Sequence, residues 1–172
     1  MFISVSLRQK EKEKKNYQET DFERMIYMKI AMAADHGGFE LKDILRDYLA
    51  EKGHEVKDLG TNTPDSVDYP DYAKLCADEV VKKNVDFGIL VCGTGVGISI
   101  AANKVDGIRC GLCPSPEIAA LVKQHNNANM IALGGRFTDV ETAKKIVDSY
   151  MSAEFEGGRH QGRIDKIMAL EK

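Results

Sequence analysis

The chain has 172 residues, 24 basic and 27 acidic, giving a formal net charge of −3, with 43% hydrophobic and 30% charged residues. That length suits one core that removes roughly 70% of the unfolded surface from water, so neither a disulfide scaffold nor a structural metal is needed to fold it. The near-neutral balance argues against the clustered Lys/Arg footprint of a nucleic-acid binder, and no apolar run approaches the roughly 18 residues of a membrane span.

Residues 1–27 read as an N-terminal extension, expected to be mobile, ahead of a domain over 28–172. The extension opens on the apolar run Met1–Leu7 and continues through the alternating charges of Gln9–Lys15. That is the reverse of a secretory signal. With four cysteines (Cys76, Cys92, Cys110, Cys113) too few for a disulfide framework, a cytoplasmic location is expected. Met28 precedes a strand-like run and reads as the functional start.

From there, short apolar runs alternate with helical periodicity. The expected strands are Lys29–Ala34, Glu55–Leu59, Phe87–Cys92, Ile108–Cys113 and Met130–Leu133. Leu41, Ile44, Leu45, Tyr48 and Leu49 share one helical face, as do Ala143, Ile146, Val147, Tyr150 and Met151. Ser115-Pro116 marks a helix start, and Thr138 with Glu141 reads as a capping box. Lys52-Gly53 and Asn126–Asn129 mark helix ends. Alternating elements with short links imply right-handed crossovers. The expected fold is therefore α/β, a three-layer α/β/α Rossmann-like domain with a five-stranded parallel sheet.

In such sheets ligands bind beyond the carboxyl ends of the strands. The residues there are Asp35-His36-Gly37-Gly38, Asp68-Tyr69-Pro70, Cys92-Gly93-Thr94-Gly95-Val96-Gly97 and Gly134-Gly135-Arg136. Gly93, Gly95 and Gly97 have neither dinucleotide-site nor Walker-loop spacing. Small residues opening a helix can instead aim backbone N–H groups at one anionic oxygen, a phosphate or an enediolate. Cys92, just before them, sits where a thiolate is favoured.

Cys110 and Cys113, three apart on a strand, point to opposite faces and cannot share a metal; no metal site is expected. Asn103–Asp106 imitates a guanine-reading motif but has no phosphate loop to go with it. Arg159 and Arg163 share one helical face after Gly157-Gly158 and suit a phosphate monoester. His36 and His125, in polar company, are the candidate proton carriers, whereas His54 reads as a surface or strand-edge residue.

Together Asp35-His36-Gly37, Asp68-Tyr69-Pro70, the run from Cys92 to Asn103, His125-Asn126, Gly135-Arg136 and Gly157-Gly158-Arg159-His160 with Arg163 resemble type B ribose-5-phosphate isomerase. The related allose- and galactose-phosphate isomerases share this likeness, which runs from about Met28 to Leu170. It implies a cofactor-free and metal-free aldose–ketose isomerase of the pentose phosphate pathway. It also implies a homodimer, or a tetramer of paired dimers, with sites shared between chains and with no nucleic-acid or membrane partner.

The resemblance makes Cys92, His125 and Thr94 the catalytic set. Cys92 would move the proton between C1 and C2, and His125 would open the sugar ring. Gly93, Thr94, Gly95, Val96 and Gly97 would bind the enediolate through backbone N–H groups. Asp35 and Asn126 would hold hydroxyls, and Tyr69 would line the pocket. His36, Arg159 and Arg163 would hold the phosphate, with Arg136 nearby, and His125, Asn126 and Arg136 would reach the partner's site. One branch of the family replaces the cysteine by a glutamate where Ile98 stands here, so this chain sorts with the thiol-base branch. A six-carbon phosphosugar isomerase and a non-catalytic nucleotide- or phosphosugar-binding module are the rival readings.

Overall fold

A computed structural model describes residues 27–171, so residues 1–26 of the expected extension lie outside it. The elements run β1 (Lys29–Ala34), α1 (Phe39–Glu51), β2 (Glu55–Asp58), α2 (Tyr69–Val81), β3 (Phe87–Cys92), α3 (Val96–Ala102), β4 (Cys110–Leu112), α4 (Pro116–Asn126), β5 (Met130–Gly134), α5 (Val140–Ser152) and α6 (Arg159–Met168). All strand pairs are parallel, in the order β2-β1-β3-β5-β4. From β1 the chain turns outward to β2 and then crosses back to β3, so the sheet's switch point lies between β1 and β3. Asp35 follows β1 and Cys92 ends β3. Those two ends frame the crevice that open α/β sheets use for ligands.

The strands β1, β3 and β5 are continuous apolar runs because both of their faces are covered. Ile30, Met32, Ile89, Val91, Ile131 and Leu133 face α1, α4 and α5. Ala31, Ala33, Leu90, Cys92, Met130 and Ala132 face α2 and α3. The small side chains in the second set let α2 lie close, with Ala73, Cys76 and Ala77 fully buried against them. Lys42 is buried completely on α1, yet its ammonium meets Asp43, Asp58 and Asn62, which ties α1 to the end of β2. Among the described residues no helix is long and apolar enough to cross a membrane.

Several expectations are corrected: β2 ends at Asp58, one residue short of Leu59, and β5 runs past Leu133 to Gly134. The strand expected over Ile108–Cys113 narrows to Cys110–Leu112: it is a sheet edge, and the Arg109 N–H goes to the Asn129 side chain. The capping box at Thr138 gives way to Asp139, whose carboxylate accepts the Thr142 N–H at 3.0 Å and its hydroxyl at 2.7 Å. His54 is buried at 8% exposure, and its Nδ1 has no partner. Ser115 caps α4 as expected, accepting the Ile118 N–H, with Pro116 opening the helix. Cys110 and Cys113 do lie on opposite faces of the sheet. Asn103 bonds the backbone of Ser99 and Cys110, tying α3 to β4.

Candidate active site

The loops after β1, β3 and β5 meet at backbone contact, and glycines make that approach feasible. A Cβ on Gly37 would lie 3.0 Å from the Gly93 nitrogen, and one on Gly134 would lie 2.8 Å from the Thr94 carbonyl oxygen. The Gly135 N–H donates to the Cys92 carbonyl at 2.8 Å, and the Arg136 N–H donates to that of Gly93 at 3.1 Å. Asp35 is buried with one oxygen accepting the Gly37 N–H at 2.8 Å. The His36 Nδ1 accepts the Val67 N–H at 3.3 Å, so in the neutral ring Nε2 carries the proton.

Cys92 closes β3 at 4% exposure, and the Gly95 N–H points at its sulfur, N to Sγ 3.1 Å. Gly95 reaches that position through a left-handed backbone, φ 77°, which a side chain would strain. The next residues open α3, where the first N–H groups have no partner inside the helix. Thr94 and Val96 are exposed on this loop. Tyr69 lies over it: a Cβ on Gly97 would fall 2.7 Å from the Tyr69 ring carbon Cζ. The other cysteines differ in kind. Burial pushes the thiols of Cys76 and Cys110 upward and that of Cys113 to about 12, which keeps them protonated and inert.

The Arg136 guanidinium carbon sits 3.3 Å from the place a Gly93 Cβ would take, so Arg136 belongs to the Cys92 cluster of its own chain. This agrees with its expected place on the strand-end rim and differs from the grouping with His125 and Asn126 that the resemblance implied. The reason is topological: β5 pairs with β3 in register, Cys92 against Gly134, and Arg136 follows two residues later. A cleft of about 390 Å³ opens beside His36 and Arg136, between the first turns of α1 and α5.

His125 and Asn126 lie elsewhere. The helix α4 runs back from the carboxyl ends of the strands, so its last turn sits beside the start of β5, about 13 Å along the strand from Gly134. There Arg109 donates to the Asn126 and Asn127 carbonyls, at 3.1 Å and 2.7 Å, and Asn127 ends the helix in the left-handed region. The His125 and His160 rings stack, with centroids 4.3 Å apart and planes 5° from parallel. Arg159 and Arg163 are exposed one turn apart on the same α6 that carries His160. Within one chain the expected site residues therefore form two groups, at opposite ends of the sheet.

Glu156 and His160 complete the second group: Glu156 was not singled out from the sequence and His160 was named only within the Gly157–Arg163 motif, because 31 and 35 positions separate them from His125. Their ligand atoms and that of His125 lie within 4.8 Å of one another. The donor types suit zinc. The geometry does not: stacked rings keep their in-plane lone pairs in two parallel planes that share no point where one ion could sit, and Arg159 and Arg163 add positive charge beside them.

A sheet with a thiol and a glycine nest at its switch point, and paired arginines on the last helix, defines the class of phosphosugar isomerases. The family model described as Ribose/Galactose Isomerase matches residues 30–167. Ribose-5-phosphate isomerase B of Escherichia coli is 51% identical over 144 residues, covering 84% of this chain and 97% of that protein. A ribose 5-phosphate isomerase structure from Thermotoga maritima superposes with a TM-score of 0.82 at 52% identity, covering 83% of this chain and 98% of the other. The Mycoplasma genitalium enzyme, solved with bound ribulose-5-phosphate, gives a TM-score of 0.79 at 49% identity, covering 83% and 95%. The chain belongs to the ribose/galactose isomerase family.

Proposed function

We infer that the chain interconverts D-ribose 5-phosphate and D-ribulose 5-phosphate through an enediolate, with Cys92 as the base. The observation that carries this reading is the Gly95 N–H aimed at the Cys92 sulfur, in a glycine loop that abuts Asp35-His36-Gly37. That N–H donates to the sulfur, which stands beside the N–H groups that open α3 without a partner inside the helix. In the open-chain aldose Cys92 takes the proton from C2. The electron pair moves toward the C1 carbonyl, and the developing oxyanion meets the N–H groups of Gly93, Thr94, Gly95, Val96 and Gly97. A single well-placed donor of this kind is worth about 3–4 kcal/mol. Return of the proton to C1, with transfer of the hydroxyl proton from O2 to O1, gives the ketose. Asp35 and Tyr69 orient the sugar, and His36 and Arg136 face its phosphate end.

His125 opens the furanose ring, Asn126 holds a hydroxyl, and Arg159 with Arg163 grips the phosphate by forked hydrogen bonds. Because these four lie at the far end of the sheet, a second copy of the chain supplies them. The active form is thus a homodimer, alone or paired into a tetramer, with each site shared. Exposed apolar side chains on the intervening surface support this: Ile100 on α3, Leu112 on the β4 edge, and Ile118 and Leu121 on α4. The reduced thiol base fits the cytosol and a place in the pentose phosphate pathway.

Cys92→Ala should lower turnover of ribose 5-phosphate by roughly two or more orders of magnitude while leaving phosphosugar binding intact. Measuring the variant's turnover beside its affinity for the ketose checks this, and wild-type turnover would remove Cys92 from the chemistry. Assaying allose 6-phosphate and galactose 6-phosphate in parallel separates a five-carbon from a six-carbon preference.

A further inference from the structure

We propose that Glu156, with the His160 ring behind it, is the positioning device that holds His125 as a proton-bearing acid for sugar-ring opening. The inference rests on the reading of His125 given above. Glu156 lies between α5 and α6, outside regular structure, yet its backbone N–H donates to the Gln124 carbonyl at 3.0 Å, which pins it beside the residue preceding His125. Its Oε2 stands 3.7 Å from the His125 Nε2 and 3.5 Å from the His160 Nε2. Those separations exceed a hydrogen bond but lie within ion-pair range, so the carboxylate stabilises whichever imidazole carries a second proton.

The two rings have different surroundings. His160 is nearly sealed, at 7% side-chain exposure, on the first turn of α6, whereas His125 is 36% exposed. Burial, then His125, Arg159 and Arg163, lower the pKa of His160, and Glu156 opposes them. The buried ring serves as a flat plate, and His125 is the one of the two that substrate and solvent can reach. The stack and the Arg109 clamp on the Asn126 and Asn127 carbonyls leave the imidazole little freedom to swing. Arg159 and Arg163, which suit a phosphate, also oppose a positive imidazole nearby. Glu156 is the one carboxylate among the described residues in ion-pair contact with His125, and it offsets that repulsion.

In ring opening the His125 imidazolium gives its proton to the ring oxygen O4 as the C1–O4 bond breaks. The C1 hydroxyl releases its proton to water, leaving an aldehyde at C1 and a hydroxyl at C4, and neutral His125 regains a proton from solvent. The ketose needs none of this. Its C5 oxygen carries the phosphate, so ribulose 5-phosphate cannot close to a furanose and is already open when Cys92 acts.

That asymmetry supplies the test. Glu156→Gln should reduce kcat for ribose 5-phosphate on the order of tenfold to a hundredfold, the range of a weakened general acid. Exchange of the C1 hydrogen of ribulose 5-phosphate with D2O, followed by NMR, should stay within about threefold of wild type, since it needs no general acid at O4. His160→Phe, which keeps a stacked ring, should lose less ribose 5-phosphate turnover than His160→Ala. Equal loss of conversion and exchange in Glu156→Gln, or loss of neither, overturns the proposal. His125→Ala is the control for the underlying reading and should show the same split. If His125→Ala shows the split and Glu156→Gln does not, positioning alone fails; if His125→Ala shows none, the ring-opening role of His125 fails and the proposal falls with it.

Discussion

Position in the strand pattern, more than exposure, separates Cys92 from the other cysteines. Cys76 donates toward the Ala31 carbonyl and Cys113 toward that of Gly111, so each sulfur acts as a weak donor inside the core. Cys92 instead accepts, because β3 ends there and the chain turns left-handed at Gly95 to bring an N–H back over the sulfur. Gly95→Ala tests that dependence. A Cβ at Gly95 would lie 2.8 Å from the Leu133 carbonyl carbon and 2.6 Å from the Leu112 Cδ1. The strained backbone should cost about 1–3 kcal/mol of stability. Displacing the N–H should lower turnover by roughly a hundredfold, the value of one lost oxyanion-type donor. Urea unfolding read beside kcat separates the two effects, and wild-type turnover in a folded variant would show that the N–H is idle.

Among the elements, β1 and β3 were legible to the residue: β3 is apolar throughout and β1 is apolar after the exposed Lys29, and β5, covered on both faces like them, runs one residue past its expected end. The edge strand β4 was not, since the flanking residues are as buried as strand residues: Ile108 turns its N–H to the Val105 carbonyl instead of the sheet, and Cys113 donates to Ala132 of β5 just past the paired residues. His54 shows the same blindness. It opens onto β2 beside Lys52 and Gly53, a turn that composition alone marks as surface, yet the fold buries it, with its N–H donating to the Leu49 carbonyl of α1. Burial lowers its pKa, Lys52 acts in the same direction, and Asp148 opposes them. The folded state therefore binds fewer protons at His54 than the unfolded chain does. Stability is complete above the unfolded value near 6.5 and declines as pH falls through it toward the lower folded value. Between about pH 7.5 and about pH 5.5 the urea midpoint should drop less in His54→Gln than in wild type. Equal drops would place the acid sensitivity elsewhere.

At the scale of the whole molecule, residue types alone announce one rim of catalytic groups, whereas the element order splits them. The chain direction of α4 places His125 at the foot of the sheet and Cys92 at its top, and this follows from counting elements, without side-chain detail. What counting could not supply was the strand order, which sets β5 beside β3 and so turns a shared rim into direct contact between Arg136 and Gly93. It also hid the meeting of Glu156, His160 and His125, which depends on how α6 packs against α4. The split has a consequence that can be measured in mixtures. Cys92→Ala chains should be inactive alone, and His125→Ala chains severely impaired on ribose 5-phosphate. If the site is shared, a mixed dimer holds one intact site, with Cys92 from the His125→Ala chain and the partner's His125 from the Cys92→Ala chain, while its other site carries both lesions. Random reassociation at equal amounts makes half the dimers mixed, each with one of two sites intact, so activity should return to about a quarter of wild type. Should each chain build its site alone, mixing would restore nothing, and activity would remain the average of the two parents at every ratio.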